Sequence, residues 1–245
     1  YGVIGFSFGA TGAVLAASDE ELTEQVGGAV VFGGYCCLGR TLACMLTGEH
    51  EWDERRHQLE PDPYGRWVVA SNYLTRIPGY EDATDVADAM RWLATQASGL
   101  RISAWEPHHD DTILALRRSI APSRRTLFDI LATPTTGRRP DQDACADFAR
   151  ALADTCREQE PQLDPARSLD HVRVPTQVIH GRGDRLVPFT EGRRLMDGLP
   201  TSQQRGVTVT GMFNHSKDHV PQGALDHMYE ASMLLRALHQ LVNTV

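Results

Sequence analysis

The stretch Gly5-Phe6-Ser7-Phe8-Gly9 constrains the fold more than any other part of this 245-residue chain. An apolar pair, Val3-Ile4, precedes it and a run of small residues follows it. This pattern predicts a strand, a sharp turn and a helix, because a Cβ at Gly5 or Gly9 would clash where the strand and the helix come close. The turn holds Ser7 in a strained backbone conformation and presents its hydroxyl above the end of the strand.

Short apolar segments alternate with helical segments at the start of the chain. Residues 2–6 and 28–32 are predicted strands, and residues from about 8 to 18 form a predicted helix between them. Such alternation is typical of parallel βαβ units. It therefore predicts an α/β fold with a mostly parallel sheet flanked by helices.

The same alternation returns near the end of the chain. Residues 174–180 and 207–210 are predicted strands, with a helix from about 190 to 199 between them. A final helix is predicted from about 223 to 242, with one buried apolar stripe on it. The residues of that stripe follow each other at spacings of three and four: Leu225, Met228, Ser232, Leu235, Leu238 and Val242.

Residues 38–170 differ from both ends of the chain. Strand signals disappear there, helical patterns dominate, and prolines interrupt them repeatedly. We interpret this segment as a helical cap inserted between two parts of one core, residues 1–37 and residues 171–245. The segment holds all four tryptophans, which either line an apolar substrate pocket or form the cap's own core.

The composition argues against several kinds of partner. A net charge of −8 and the lack of a basic cluster disfavour nucleic acid and anionic membranes. No run approaches the roughly 20 apolar residues that a membrane-spanning helix needs. The five cysteines show no C-x-x-C spacing, which favours reduced thiols in the cytoplasm and no zinc site. We expect a small-molecule substrate, no cofactor and no metal, and the sequence leaves the oligomeric state open.

Two further loops carry candidate catalytic side chains. The segment His180-Gly181-Arg182-Gly183-Asp184 directly follows a predicted strand, so Asp184 lies in the loop at that strand's carboxyl end. His215 lies in the loop after the next predicted strand. Because the carboxyl ends of parallel strands meet at one edge of a sheet, we expect Ser7, Asp184 and His215 to converge there.

The chain order Ser7, Asp184, His215 resembles that of the α/β-hydrolase superfamily. The H-G-x-x-D-x-x-V-P segment that contains Asp184 is similar to the acid loop of its dienelactone-hydrolase-like and prolyl-oligopeptidase-like members. The resemblance covers residues 1–37 and 171–245, and the insertion between them matches in position only. Since Tyr1 begins inside the nucleophile strand, the resemblance implies the C-terminal part of that fold, truncated at the N-terminus.

The resemblance implies a serine hydrolase that cleaves an ester, thioester or amide through an acyl-enzyme. Ser7 would be the nucleophile, His215 the base that activates it, and Asp184 the group that orients the imidazole. The Phe8 N–H would supply one oxyanion donor. The superfamily takes its second donor from a loop upstream of this sequence, so the chain alone holds half of the oxyanion hole. Tyr35, which follows the second strand, is a candidate substrate contact.

Several alternatives remain open at this point. An acyltransferase uses the same triad, and a binding protein of the same fold would have lost turnover. His219 competes with His215 as the base, and Asp184 could be an ordinary turn-capping aspartate. The run His108-His109-Asp110-Asp111 resembles a set of metal ligands, but we interpret it as a solvated stretch.

Overall fold

The computed structural model describes residues 1–100, 102–212 and 224–244. The predicted base His215 and its competitor His219 lie outside these described residues. The strands are β1 (Gly2–Phe6), β2 (Gly28–Phe32), β3 (Glu49–Trp52), β4 (Arg55–Gln58), β5 (Thr176–Gly181) and β6 (Gln204–Thr210). The helices are α1 (Gly9–Ser18), α2 (Leu38–Thr47), α3 (Pro63–Tyr73), α4 (Thr84–Leu100), α5 (Asp110–Ser119), α6 (Arg125–Leu131), α7 (Gln142–Gln159), α8 (Phe189–Gly198) and α9 (Ala224–Thr244).

Four strands form one sheet in the order β1-β2-β5-β6, and every neighbouring pair is parallel. The register pairs Phe6 with Phe32, Phe32 with Ile179, and Ile179 with Thr208. The carboxyl ends of the four strands therefore share one edge. The predicted α/β class, with a parallel sheet flanked by helices, is confirmed.

Contacts divide the described chain into two compact units. The first consists of Tyr1–Thr41, His50–Arg55 and Pro161–Val245, and the second of Leu42–Glu49 and Arg56–Glu160. The sheet and all of its strands belong to the first unit. The sequence prediction of a cap over residues 38–170 stays a prediction.

The core of the first unit lies on both faces of the sheet, because β2 alternates its side chains between them. Val31 packs with Val14 of α1 and Leu195 of α8 on one face. Val30 and Phe32 pack with Ala237 of α9 on the other face. All five residues of β2 are buried, as expected for an inner strand of a parallel sheet.

The predicted apolar stripe of the last helix is wrong at Met228 and Leu235, which are 69% and 65% exposed. The side chains of its members Leu225, Leu238 and Val242 lie outside the described part of the chain. The face of α9 that packs on the sheet instead contains Ala237, Leu234 and the acidic residue Glu230. A hydrophobicity pattern misses this face because a glutamate occupies one of its positions.

The second unit is helical and its core is centred on fully buried side chains of α3, α4, α6 and α7, including Trp67, Met90, Phe128 and Leu152. Trp67 also donates its indole N–H to the Leu131 carbonyl at 3.0 Å. Trp92 is half exposed and lines a cleft of about 420 Å³ with Asp111 and Leu116. At least one of the four tryptophans thus serves the core of its own unit.

Two expectations for the middle of the chain are wrong. The strands β3 and β4 form a two-stranded sheet, joined by a turn in which Asp53 and Glu54 have φ values of 51° and 59°. His109 is 2% exposed and packs edge-on against Trp67 and His108, so this part of the His-Asp run is not solvated. Its ring fills space beside the indole, which a count of polar neighbours in sequence does not reveal.

Candidate active site

The turn at Ser7 has the strained geometry that the sequence predicts. Ser7 has a φ of +52°, in the left-handed region that side chains other than glycine rarely adopt. Its N–H donates to the Phe32 carbonyl at 2.8 Å, and its carbonyl accepts from the Ala10 N–H at 2.9 Å. Such a conformation costs on the order of 1–3 kcal/mol and persists because the surrounding structure holds both sides of the residue.

Gly5 allows the close approach of β1 to α1, whereas Gly9 does not contribute to it. A Cβ built on Gly5 would lie 2.4 Å from the Gly9 carbonyl oxygen and 2.6 Å from the Ala10 Cα. A Cβ built on Gly9 would meet no atom within 4 Å. The expectation that both glycines exclude a side chain is therefore right for Gly5 and wrong for Gly9, whose missing side chain points away from the strand.

The first turn of α1 follows Ser7 directly. Phe8 is the N-cap residue and has helical angles, with its side chain exposed. Neither the Ser7 hydroxyl nor the Phe8 N–H makes a hydrogen bond with another residue in the described ranges. A helix N-terminus carries a partial positive charge that favours an anion. The geometry is thus compatible with the predicted oxyanion role of the Phe8 N–H.

Asp184 is held rigidly in the loop after β5. It is 2% exposed, and its Oδ1 accepts from the N–H groups of Leu186 and Val187, each at 2.9 Å. The turn-capping role that the sequence left open is therefore present, and it uses Oδ1. These two bonds hold Oδ1 of the carboxylate in place.

His180 supports the same loop from within the core. Its imidazole is fully buried, with Nε2 2.9 Å from the Val187 carbonyl oxygen and 3.7 Å from Asp184 Oδ2. A Cβ on Gly192 would lie 2.5 Å from its Nδ1, so α8 makes room for the ring. The ring thus packs between the acid loop and α8.

Backbone hydrogen bonds bring the strand ends together. Gly33 donates to the Ile179 carbonyl at 2.8 Å, and Arg182 donates to the Thr210 carbonyl at 2.8 Å. One strand, β2, lies between the strand that ends at Ser7 and the strand that leads to Asp184. Since neighbouring strands are about 4.8 Å apart, the two strand ends are roughly 10 Å apart. A third side chain must bridge that gap if Ser7 and Asp184 are to act together.

Tyr35 is buried in the loop after β2. Its hydroxyl donates to the Leu163 carbonyl at 2.7 Å, within the first unit. The structure thus gives the ring an anchoring contact, and a contact with substrate stays a prediction.

Two buried carboxylates that the sequence analysis missed hold this loop. Glu191 Oε2 accepts from the N–H groups of Cys36 and Cys37 at 3.0 and 2.8 Å, and its Oε1 accepts from Arg40 at 2.7 Å. Asp164 accepts from the Leu38 N–H at 3.0 Å. No motif contains these acids, but the buried loop amides need acceptors.

Cysteine chemistry is disfavoured at this edge of the sheet. Burial raises the pKa of the Cys36 thiol to about 12, and the nearby Glu191 carboxylate adds to the effect. The thiol is therefore protonated at neutral pH and is a poor nucleophile.

Within the described ranges, no three histidine, cysteine or acidic side chains are grouped so as to hold a metal ion. The helices of those ranges are all too short or too polar to cross a membrane.

Comparisons with known proteins give structural matches only. No protein-family model matches this chain, and no curated protein sequence does. A solved alpha/beta fold family hydrolase from Bacillus anthracis aligns over 97% of this chain and 66% of its own, at 12% identity and a TM-score of 0.42. An acetylester hydrolase from Corynebacterium glutamicum aligns over 95% of this chain and 61% of its own, at 14% identity and a TM-score of 0.37.

A third match is MGS-M2, an alpha/beta hydrolase enzyme from a Medee basin deep-sea metagenome library, over 95% of this chain and 63% of its own. The identity is 15% and the TM-score 0.38. Each of these three proteins is a hydrolase, and this chain spans less than two thirds of the length of each. The α/β fold class rests on the parallel strand order and on the turn at Ser7. A shared fold does not specify an activity.

Proposed function

We propose that this chain carries the nucleophile and acid of a serine hydrolase that cleaves an ester, thioester or amide. The observation that supports the proposal is the left-handed backbone of Ser7 at the junction of β1 and α1. Strain of this kind is found where structure is kept for function, and here it falls on a half-buried serine at the edge where the strands end. The buried Asp184 on a second loop of the same edge adds to it.

In the proposed mechanism the Ser7 hydroxyl attacks the substrate carbonyl, and His215 removes its proton. The Phe8 N–H stabilises the oxyanion as the tetrahedral intermediate forms. The imidazolium then gives the proton to the leaving group, and water hydrolyses the acyl-enzyme in a second round. Asp184 keeps the imidazole in the tautomer that accepts the serine proton and stabilises its charged form.

The arrangement of the proposed enzyme follows the sequence analysis. Residues 1–37 and 171–245 form the hydrolase core, and the helical segment between them is a cap that selects the substrate. The Phe8 N–H is the one oxyanion donor that the proposal assigns in this chain. Loss of one such donor costs about 3 kcal/mol of barrier in enzymes where it has been measured.

The test uses the intact natural protein, a fluorophosphonate probe and a p-nitrophenyl ester. The unaltered protein should be labelled and should release nitrophenol, and Ser7→Ala should abolish both while the circular dichroism spectrum is retained. Ser119→Ala is the matched control, because its exposed hydroxyl donates to the Leu116 carbonyl of its own helix. Full activity in Ser7→Ala would refute the proposal. An alcohol added as competing acceptor distinguishes a transferase, which would form the new ester in preference to the free acid.

A further inference from the structure

Glu230 is a buried acid on the face of α9 that packs on the sheet. It is 9% exposed, although the described positions beside it on this face, Leu234 and Ala237, are apolar. An apolar residue would pack here without the desolvation cost that a carboxylate carries. The glutamate is therefore a poor choice for packing alone, and its contacts indicate what it does instead.

Two donors from two different loops converge on this carboxylate. The Gly211 N–H donates to Oε2 at 2.8 Å, and Arg182 Nη2 donates to Oε1 at 3.2 Å. Burial would raise the pKa of Glu230, but the Gly211 N–H, the Thr210 side chain and the Arg182 charge outweigh it and hold the pKa below its usual value near 4.5. The side chain is therefore ionised at neutral pH.

The same contacts join the two loops to each other. The Arg182 N–H donates to the Thr210 carbonyl at 2.8 Å, and its Nη2 also donates to the Val209 carbonyl at 3.1 Å. The Met212 N–H donates to the Thr210 hydroxyl oxygen at 3.1 Å. The backbone from residue 209 to 212 is thus fixed against the Arg182 segment, with the Glu230 carboxylate between them.

Each loop leads to one half of the proposed acid–base pair. Arg182 precedes Asp184 by two residues, and Met212 precedes His215 by three. We propose that Glu230 is a positioning residue, which sets the separation between the acid loop at residues 182–184 and the backbone at residues 210–212, from which the chain leads to His215. This inference rests on the proposed function. It adds a buried ionic clamp on the last helix that holds the two loops in register.

The test compares Glu230→Ala and Glu230→Gln with a matched control in the other unit. Asp85→Asn is that control, because Asp85 also accepts from an arginine, Arg124, and from two backbone N–H groups, those of Val86 and Ala121. In each variant of the intact protein, the rate of fluorophosphonate labelling is measured against pH. Histidine titration is followed by NMR, with His215→Gln used to assign the relevant imidazole.

Glu230→Ala should label about tenfold to a hundredfold more slowly, since a misplacement of about 1 Å costs this much in other enzymes. An imidazole that has lost its carboxylate is a weaker base, so the labelling midpoint and the His215 titration should both move to lower pH. The labelling rate of Glu230→Gln should lie between those of the unaltered protein and Glu230→Ala, because the glutamine amide oxygen can still accept from the Gly211 N–H. Asp85→Asn should shift neither midpoint, even if it melts earlier.

The outcomes separate this inference from the proposed function. If the unaltered protein labels and a folded Glu230→Ala keeps the same rate and titration, the positioning role is refuted and the hydrolase proposal stands. If the protein never labels while the titration of His215 moves in Glu230→Ala, the hydrolase proposal fails and the clamp remains. If Glu230→Ala does not fold, Arg182→Gln serves instead, because it removes the arginine contact and keeps the bond from Gly211 to Glu230. Unchanged labelling and titration midpoints in both Arg182→Gln and Glu230→Gln would also refute the positioning role.

Discussion

The two glycines that flank the turn at Ser7 give a matched pair for a stability experiment. A Cβ on Gly5 would lie 2.4 Å from the Gly9 oxygen, about 1 Å inside ordinary van der Waals contact, and 2.6 Å from the Ala10 Cα. Both are backbone atoms and cannot rotate away, so β1 and α1 must separate. Overpacking of this kind costs about 3 kcal/mol or more at the upper end of its range. We expect Gly5→Ala to lower the free energy of unfolding of the first unit by at least that amount.

Gly9→Ala is the control, since its Cβ would meet no atom within 4 Å and the residue lies in the first turn of α1. Alanine is favoured over glycine in a helix by about 0.5–1 kcal/mol, so this variant should be slightly more stable than the parent. Native-state hydrogen exchange of the β2 amides measures both effects within the first unit. Equal stability of Gly5→Ala and the parent would show that the strand and helix are not in close contact, and the reasoning on the turn would be wrong.

Two further predictions concern buried ionisable groups. His109 Nε2 is buried and has no hydrogen-bond partner among the described residues. His109→Leu should therefore stabilise the second unit by about 1 kcal/mol in urea unfolding, and a loss of stability would contradict this. Because the pKa of Glu230 is depressed in the folded protein, its charge stabilises the fold at pH values above the ordinary pKa near 4.5. This stabilisation is lost as the pH falls through the lower pKa of the folded state. The difference in unfolding free energy between the parent and Glu230→Gln should therefore shrink from pH 6 to pH 3, and a constant difference would show that the charge is not what Glu230 contributes.

The sheet could be predicted from the sequence because its strands are short apolar runs. Val30, Val31 and Phe32 are buried on both faces, which parallel packing demands and which hydrophobicity detects. The left-handed Ser7 was predicted from its flanking glycines, although only Gly5 is sterically required. The convergence of Ser7 and Asp184 with a histidine stays a prediction, since His215 lies outside the described residues.

The errors occur where polar residues occupy positions that apolar residues usually mark. Only one of the eight residues of β3 and β4 is apolar, so no apolar alternation marks these strands. Met228 and Leu235 suggested the wrong face of α9, because the correct face includes Glu230. The run that contains His109 is predicted to be solvated, but the ring of His109 is buried beside Trp67. In each case tertiary contacts decide the outcome, and a local pattern contains no information about them.

One physical requirement connects the buried acids at the carboxyl edge of the sheet. A loop that leaves a parallel strand carries N–H groups that no ladder satisfies, and where the loop is buried those groups need acceptors. Here Glu191 accepts from the loop after β2, Asp184 from its own loop after β5, and Glu230 from the backbone after β6. The backbone at each of these three points is therefore held in place before any ligand arrives, which is the preorganisation that the proposed hydrolase would need. A fold that needed only stability could have kept these loops short and exposed, so the cost of burying three carboxylates at one edge is best understood as the cost of a rigid site.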